Sequence, residues 1–274
     1  MSSKLRFLAK TLPAIAALLA AGAVSANDRH FTYTYETAVL APGAKELEVW
    51  STFRNGRTDY YSRLDHRLEF ETGISERVMT AFYLNWENIT SEVSPGVLGT
   101  AHSWGGISNE WKWKISDPVA DAVGFALYGE LGYNTDELEL EFKTLFDKKI
   151  GQWLFAANLV GEGEFEAEPE EMELEEMVAE VDLGASYQLN PHLAVGLELR
   201  NHNEFAKEAG SEEFEYEHSA LFLGPNISYA TESWWVSFTV LPQLPALMKE
   251  EGGSILVLDE HEKINARLLF SFHL

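Results

Sequence analysis

Ionisable side chains recur at every second position over long stretches of this 274-residue chain, with apolar residues between them, as in Glu137-Leu138-Glu139-Leu140-Glu141 and Glu110-Trp111-Lys112-Trp113-Lys114. The set includes Glu48, Arg63, Arg67, Glu69, Glu71, Glu110, Lys112, Lys114, Glu130, Glu139, Glu141, Lys143, Glu180, Asp182, Glu198, Arg200 and Arg267. Gathered on one wall, such groups can neutralise one another between neighbouring strands. Where acid is in excess they can instead raise the local cation concentration in a water-filled passage and repel anions. Either chemistry requires that all of them share a surface, and that demand falls on the elements that carry them.

Those elements are strands. From Ala44 onward the chain divides into segments of roughly ten residues with period-two hydrophobicity, the repeating pattern of membrane barrels. The first sets Leu47, Val49, Ser51 and Phe53 against Glu48, Trp50 and Thr52 and ends at Asn55-Gly56, a hairpin signal. The last runs to the carboxyl terminus, with Ile264, Ala266, Leu268, Phe270, Phe272 and Leu274 on one face and Lys263, Asn265, Arg267, Ser271 and His273 on the other. About twelve segments can be counted, an even number as single-chain bacterial barrels require. Turns after strands two, four, six, eight and ten read as short, and loops after three, seven, nine and eleven as longer, which puts both termini on the periplasmic side. Outward aromatics fall near the two rims: Trp113, Trp153, Tyr187, Tyr229, Trp234 and Phe272 at one, Trp86 and Tyr133 at the other. A soluble β-sandwich alternates in the same way, but these charged inner faces would leave it without a dry core.

Residues 1–26 read as a secretory signal: Lys4, Arg6 and Lys10 precede an apolar run from Leu12 to Val24, and Val24-Ser25-Ala26 offers a cleavage site. The run is shorter than the roughly 20 residues of a spanning helix. Residues 27–44 form an N-terminal periplasmic segment in this reading, with Phe31, Tyr33 and Tyr35 in alternation, as an extra short strand or a piece tucked into the barrel mouth; residues 45–274 form the barrel. The formal charge is −24, with 20 basic and 44 acidic residues, so a nucleic-acid partner is not expected. The chain has no cysteine, which excludes disulfides and thiol chemistry.

Further candidates stand outside the polar wall. Glu162 to Glu180 is the most acidic stretch and falls at an external hairpin. Carboxylates suit Ca²⁺ or Mg²⁺, so divalent cations are one reading of this tip; a solvated charge run is the other, favoured because no calcium-loop spacing occurs. The eight histidines, His30, His66, His102, His192, His202, His218, His261 and His273, lie on separate segments without a ligand pair, so no metal site and no cofactor is expected. One class of twelve-stranded barrel, an outer-membrane phospholipase, carries a Ser-His pair on its lipid-facing wall. Here Ser51 and His66 both point outward on adjacent strands and would be opposite if the first hairpin loop were long, but a two-residue turn at Asn55-Gly56 would set Tyr60 opposite Ser51, and no Asn or Asp is placed to orient the imidazole. An enzyme is not expected. The last external loop, with Leu256, Val257 and Leu258 among acidic residues, is the one expected to fold inward.

Several segments are familiar as a set: Phe31-Thr-Tyr-Thr-Tyr, Ala41-Pro-Gly with Glu46-Leu-Glu, Leu68-Glu-Phe-Glu-Thr-Gly-Ile-Ser-Glu-Arg, and Leu223-Gly-Pro-Asn-Ile-Ser-Tyr. Together they resemble an uncharacterised Gram-negative outer-membrane β-barrel family, distantly similar to barrels of the phenol-degradation meta-pathway transporter type. The resemblance implies an all-β, antiparallel up-and-down barrel in the outer membrane, with lipid, lipopolysaccharide and the barrel-assembly machinery as partners. Such barrels usually finish in an aromatic residue; this chain finishes in Leu274, with Phe270 and Phe272 just before. The expected role is a narrow, cation-preferring pore or small-solute transporter, with a non-conducting structural or surface-interaction barrel as the alternative.

Overall fold

A computed structural model describes residues 28–135, 137–168, 171–207, 213–247 and 255–274; the expected signal at 1–26 lies outside them. Twelve antiparallel strands follow one another around a closed barrel: β1 Lys45–Asn55, β2 Tyr61–Ser75, β3 Val78–Ser94, β4 Val97–Ser116, β5 Gly124–Asn134, β6 Glu137–Ile150, β7 Trp153–Glu168, β8 Glu171–Gln188, β9 Leu193–Lys207, β10 Phe214–Ala230, β11 Trp234–Leu244 and β12 Ile264–His273. The seam pairs β1 with β12 in unbroken register from Glu46↔His273 to Asn55↔Ile264. Closure leaves no sheet edge, the one way strands can satisfy their backbone groups in hydrocarbon.

Period two decides which side chains face out. Phe82, Trp111, Trp113, Leu131, Phe142, Leu159, Leu197, Phe238 and Leu268 are exposed on the outer wall, while Glu48, Glu69, Glu110, Ser237 and Thr239 are buried inside. A wall this apolar and this continuous would be an aggregation face in water. At the rim that carries the carboxyl terminus, Trp153 packs on Tyr187 at 4.9 Å between ring centroids, and Trp234 on Phe270 at 5.5 Å. We call this rim terminal and the other distal.

Three local expectations are corrected. The first hairpin is joined by the five residues between Asn55 and Tyr61 rather than a two-residue turn. Gly56 takes a positive φ of 90°, and the loop is held from outside: Lys263 N–H donates to Gly56 O (2.8 Å) and Thr58 N–H to Leu258 O (2.9 Å). The connections after β3 and β7 are not long loops; β3–β4 and β7–β8 continue as paired ribbons to Ser94↔Val97 and Glu168↔Glu171. The connection after β4 spans seven residues between Ser116 and Gly124, where a short turn was expected.

Residues 28–40 form no strand and lie inside the cylinder, so the expected periplasmic leader occupies the interior. Phe31, Thr32, Thr37 and Leu40 are each at most 1% exposed. The described part of the last loop turns inward over the distal mouth, where Val257 exchanges two hydrogen bonds with the buried Gln243 side chain (2.9 and 3.1 Å).

Candidate functional site

The interior divides at the inserted segment. In the terminal half, wall side chains use their polar atoms on the segment's backbone. Glu198 accepts from Thr32 N–H (2.5 Å) and Tyr33 N–H (2.9 Å), and also from the Thr239 hydroxyl (3.0 Å). Asn158 both accepts from Tyr35 N–H (2.6 Å) and donates to Tyr35 O (2.9 Å), and Asp147 takes the N–H and hydroxyl of Thr37. Asn226 and Ser237 donate to His30 O, and Arg267 to Thr32 O. A non-repetitive backbone buried in a barrel needs such partners, because each unmade hydrogen bond would cost about 1–3 kcal/mol.

Aromatic packing completes the obstruction. Tyr35 meets Tyr128 edge-on at 5.1 Å and Trp50 at 6.5 Å, and Trp50 meets Tyr83 at 6.5 Å. Arg29 lies 4.0 Å above the Tyr35 ring and 4.8 Å from Trp50, a cation carried into a region that also holds Glu48, Glu69 and Glu71. Phe31 fits where β8 has a glycine: a Cβ on Gly184 would meet the Phe31 ring at 2.7 Å. Segment and wall are matched in shape at that point.

The distal half is open. A cavity of about 410 Å³ rests on Tyr33, Tyr35 and Trp50 and is lined by Arg63, Arg67, Glu139, Glu141, Lys143, Glu180, Asp182, Arg200 and Arg267. Sequence reasoning did not single out Arg54, Asp65, Glu87 and Glu162 for this wall, although their parity places them there. Many charges are paired: Arg200–Glu180 at 2.6 Å, Arg63–Glu87 at 2.7 Å, Lys143–Glu141 at 2.9 Å and Arg67–Glu130 at 3.3 Å. A neighbouring recess adds Glu130, Glu137 and Glu164 without a further cation, which leaves acid in excess. Glu48, Glu69, Glu110, Lys112 and Glu198 are buried in the terminal half, below or around the inserted segment.

One arrangement escaped the spacing argument, and another turned on the length of the first loop. His202, Glu204, His218 and His261 converge at the distal end, each offering a ligand atom within 4.8 Å of the others. On the outer wall, the five-residue first loop puts Ser51 opposite His66, not Tyr60, with Oγ 3.2 Å from Nδ1. The imidazole stacks on Trp86, and among the described residues no third side chain is hydrogen-bonded to it. A serine nucleophile needs its base oriented by such a group. The acidic stretch around 162–180 is mostly paired strand, with Glu164 opposite Glu176 and Glu166 opposite Glu173.

A closed antiparallel barrel with an apolar outer wall and a charged interior is the architecture of a transmembrane β-barrel. More particularly, the chain belongs to a family of unknown function, DUF6662, whose model matches residues 23–274. Its fold is similar to that of the COG4313 outer membrane channel from Pseudomonas putida F1, with a TM-score of 0.60 at 12% identity over 89% of this chain and 100% of that one. It is also similar to the NanC porin, with a TM-score of 0.54 at 11% identity over 83% of this chain and 100% of that one. No curated protein matches the chain significantly.

Proposed function

We propose that this protein is an outer-membrane barrel, exported by a cleaved signal, that acts as a narrow, cation-preferring pore or small-solute transporter whose resting form is closed by residues 28–40. The terminal rim then faces the periplasm and the distal cavity faces outward, and insertion depends on the barrel-assembly machinery. The observation that carries the reading is the cavity of about 410 Å³, with carboxylate in excess, that ends on Tyr33, Tyr35 and Trp50. Low-dielectric walls focus the field of such charges and favour cations. The fold similarity to outer-membrane channels is consistent with this role.

Planar bilayers test it. Purified protein is expected to give reproducible openings with a reversal potential displaced toward cations. Replacing Glu110, Glu139 and Glu141 together by Gln is expected to move that potential toward zero; an unchanged value rejects the lumen assignment. A second reading is favoured by the number of hydrogen bonds that hold the inserted segment: a non-conducting structural or surface-interaction barrel. Electrical silence, both in the intact protein and after removal of the segment, supports that one.

A further inference from the structure

We propose that His202, Glu204, His218 and His261 form a binding site for a borderline divalent metal ion of the Zn²⁺ type at the distal mouth of the lumen. Three imidazoles and one carboxylate are a donor set that zinc takes readily in four-coordinate geometry. The proposal rests on geometry within the barrel and does not require that the barrel conduct.

Three separate pieces of chain build the cluster. His202 and Glu204 stand two apart on β9 and share its inner face. His218 comes from β10, directly opposite Glu204, because the strand pairing shifts between Tyr216 and His218. That bulge changes the parity of β10 and turns His218 inward. His261 arrives from the loop ahead of β12, which folds back over the mouth.

The four ligand atoms lie close together. His218 Nε2 lies 2.7 Å from His261 Nε2 and 3.3 Å from Glu204 Oε2, and His202 Nε2 lies 3.6 Å from the same oxygen. Bonds of about 2.0–2.1 Å to a tetrahedral ion hold ligand atoms about 3.3 Å apart. The two close nitrogens would therefore part by a few tenths of an ångström, a movement within the reach of a loop residue. The two contacts to Glu204 Oε2, at 3.3 and 3.6 Å, are already close to the required separation, and all four ligand atoms lie within 4.8 Å of one another.

Second-layer contacts support the same assignment. Glu180 Oε2 lies 2.8 Å from His202 Nδ1, which fixes the proton there and leaves the Nε2 lone pair for the cluster. Arg200 in turn holds Glu180 at 2.6 Å. His218 is 6% exposed, and among the described residues its Nδ1 has no hydrogen-bond partner and its polar contacts are all at the cluster. His202 also lines the distal cavity, which gives an ion a route in.

The test uses the full mature barrel in detergent, stripped of metal and titrated with Zn²⁺ by calorimetry and with Co²⁺ by absorption. One Zn²⁺ per barrel and an intense, tetrahedral Co²⁺ spectrum with imidazole character are expected. His218→Ala combined with His261→Ala is expected to abolish both, and Glu180→Gln to weaken Zn²⁺ binding by about 10- to 100-fold, the usual effect of losing a second-layer partner. Heat-modifiability on gels checks that the variants remain folded, and His261→Ala alone, in a loop, provides a variant that leaves every strand intact. Absence of Zn²⁺ binding to the intact barrel overturns the proposal. So does binding that survives the double substitution with a weak octahedral Co²⁺ spectrum, since the ion would then sit on carboxylates such as those of the β7–β8 hairpin.

Discussion

The terminal and distal halves of the lumen are made from the same twelve strands with the same alternation, yet one is filled and the other is hollow. In the terminal half, Glu198, Asn158 and Asp147 spend their polar atoms on the backbone of residues 28–40, and Tyr35, Trp50, Tyr83 and Tyr128 fill the space between. In the distal half, similar acids meet arginines and lysines across a cavity. Strand number alone therefore does not set the bore of this barrel. What sets it is whether a stretch of chain has been supplied to use the inward donors and acceptors.

The contrast can be broken most directly by removing residues 28–40. That deletion is expected to raise single-channel conductance several-fold in planar bilayers, because it converts the terminal half into a second cavity; equal conductance would mean that the constriction lies elsewhere. A gentler route leaves the segment in place. Gly184→Leu forces side-chain atoms into the volume of Phe31, and overpacking of this kind costs about 1–3 kcal/mol. It is expected to lower the thermal midpoint of the purified barrel, and to increase the frequency of openings if the segment, rather than the wall, yields.

The smallest effect concerns a turn outside both halves. Asp117, between β4 and β5, accepts from Lys114 Nζ at 2.7 Å and from the N–H groups of Val119 and Ala120. The Lys114 hydrogen bond first, and then the two backbone ones, lower its carboxyl from 3.8 to about 2. A depressed folded-state value means that the stabilisation is complete above about 4 and is lost as pH falls toward 2. For so exposed a group it amounts to less than about 1 kcal/mol. Asp117→Asn is therefore expected to narrow the difference between thermal midpoints at neutral and acid pH without altering conductance.

The partition between lipid and lumen was legible in the sequence because it depends only on the period of the strand: Glu139 and Arg200 could be assigned a side without knowing their neighbours. Register was less legible. Asn55-Gly56 carries a strong local turn signal, but the first loop is tied to Leu258 and Lys263, some 200 residues on, and those contacts override it. The inserted segment gave a partial signal in the alternation of Phe31, Tyr33 and Tyr35. Its destination was hidden, since its partners Asp147, Asn158, Gly184 and Glu198 are spread over four distant stretches of chain. The histidine cluster gave none, because it needs a bulge beside Glu217 and a returning loop, and neither has a spacing rule.

The inserted segment enters and leaves the cylinder by one opening. At its start, Asp28 lies 3.8 Å from His273 at the terminal rim, and at its end Gly43 N–H donates to Gly73 O beside the start of β1. It is a cork with both strings on the same side. In the orientation proposed above, cargo fused ahead of Asp28 would emerge on the periplasmic side, and a tug on it would bear on the cork rather than on the staves of the cask.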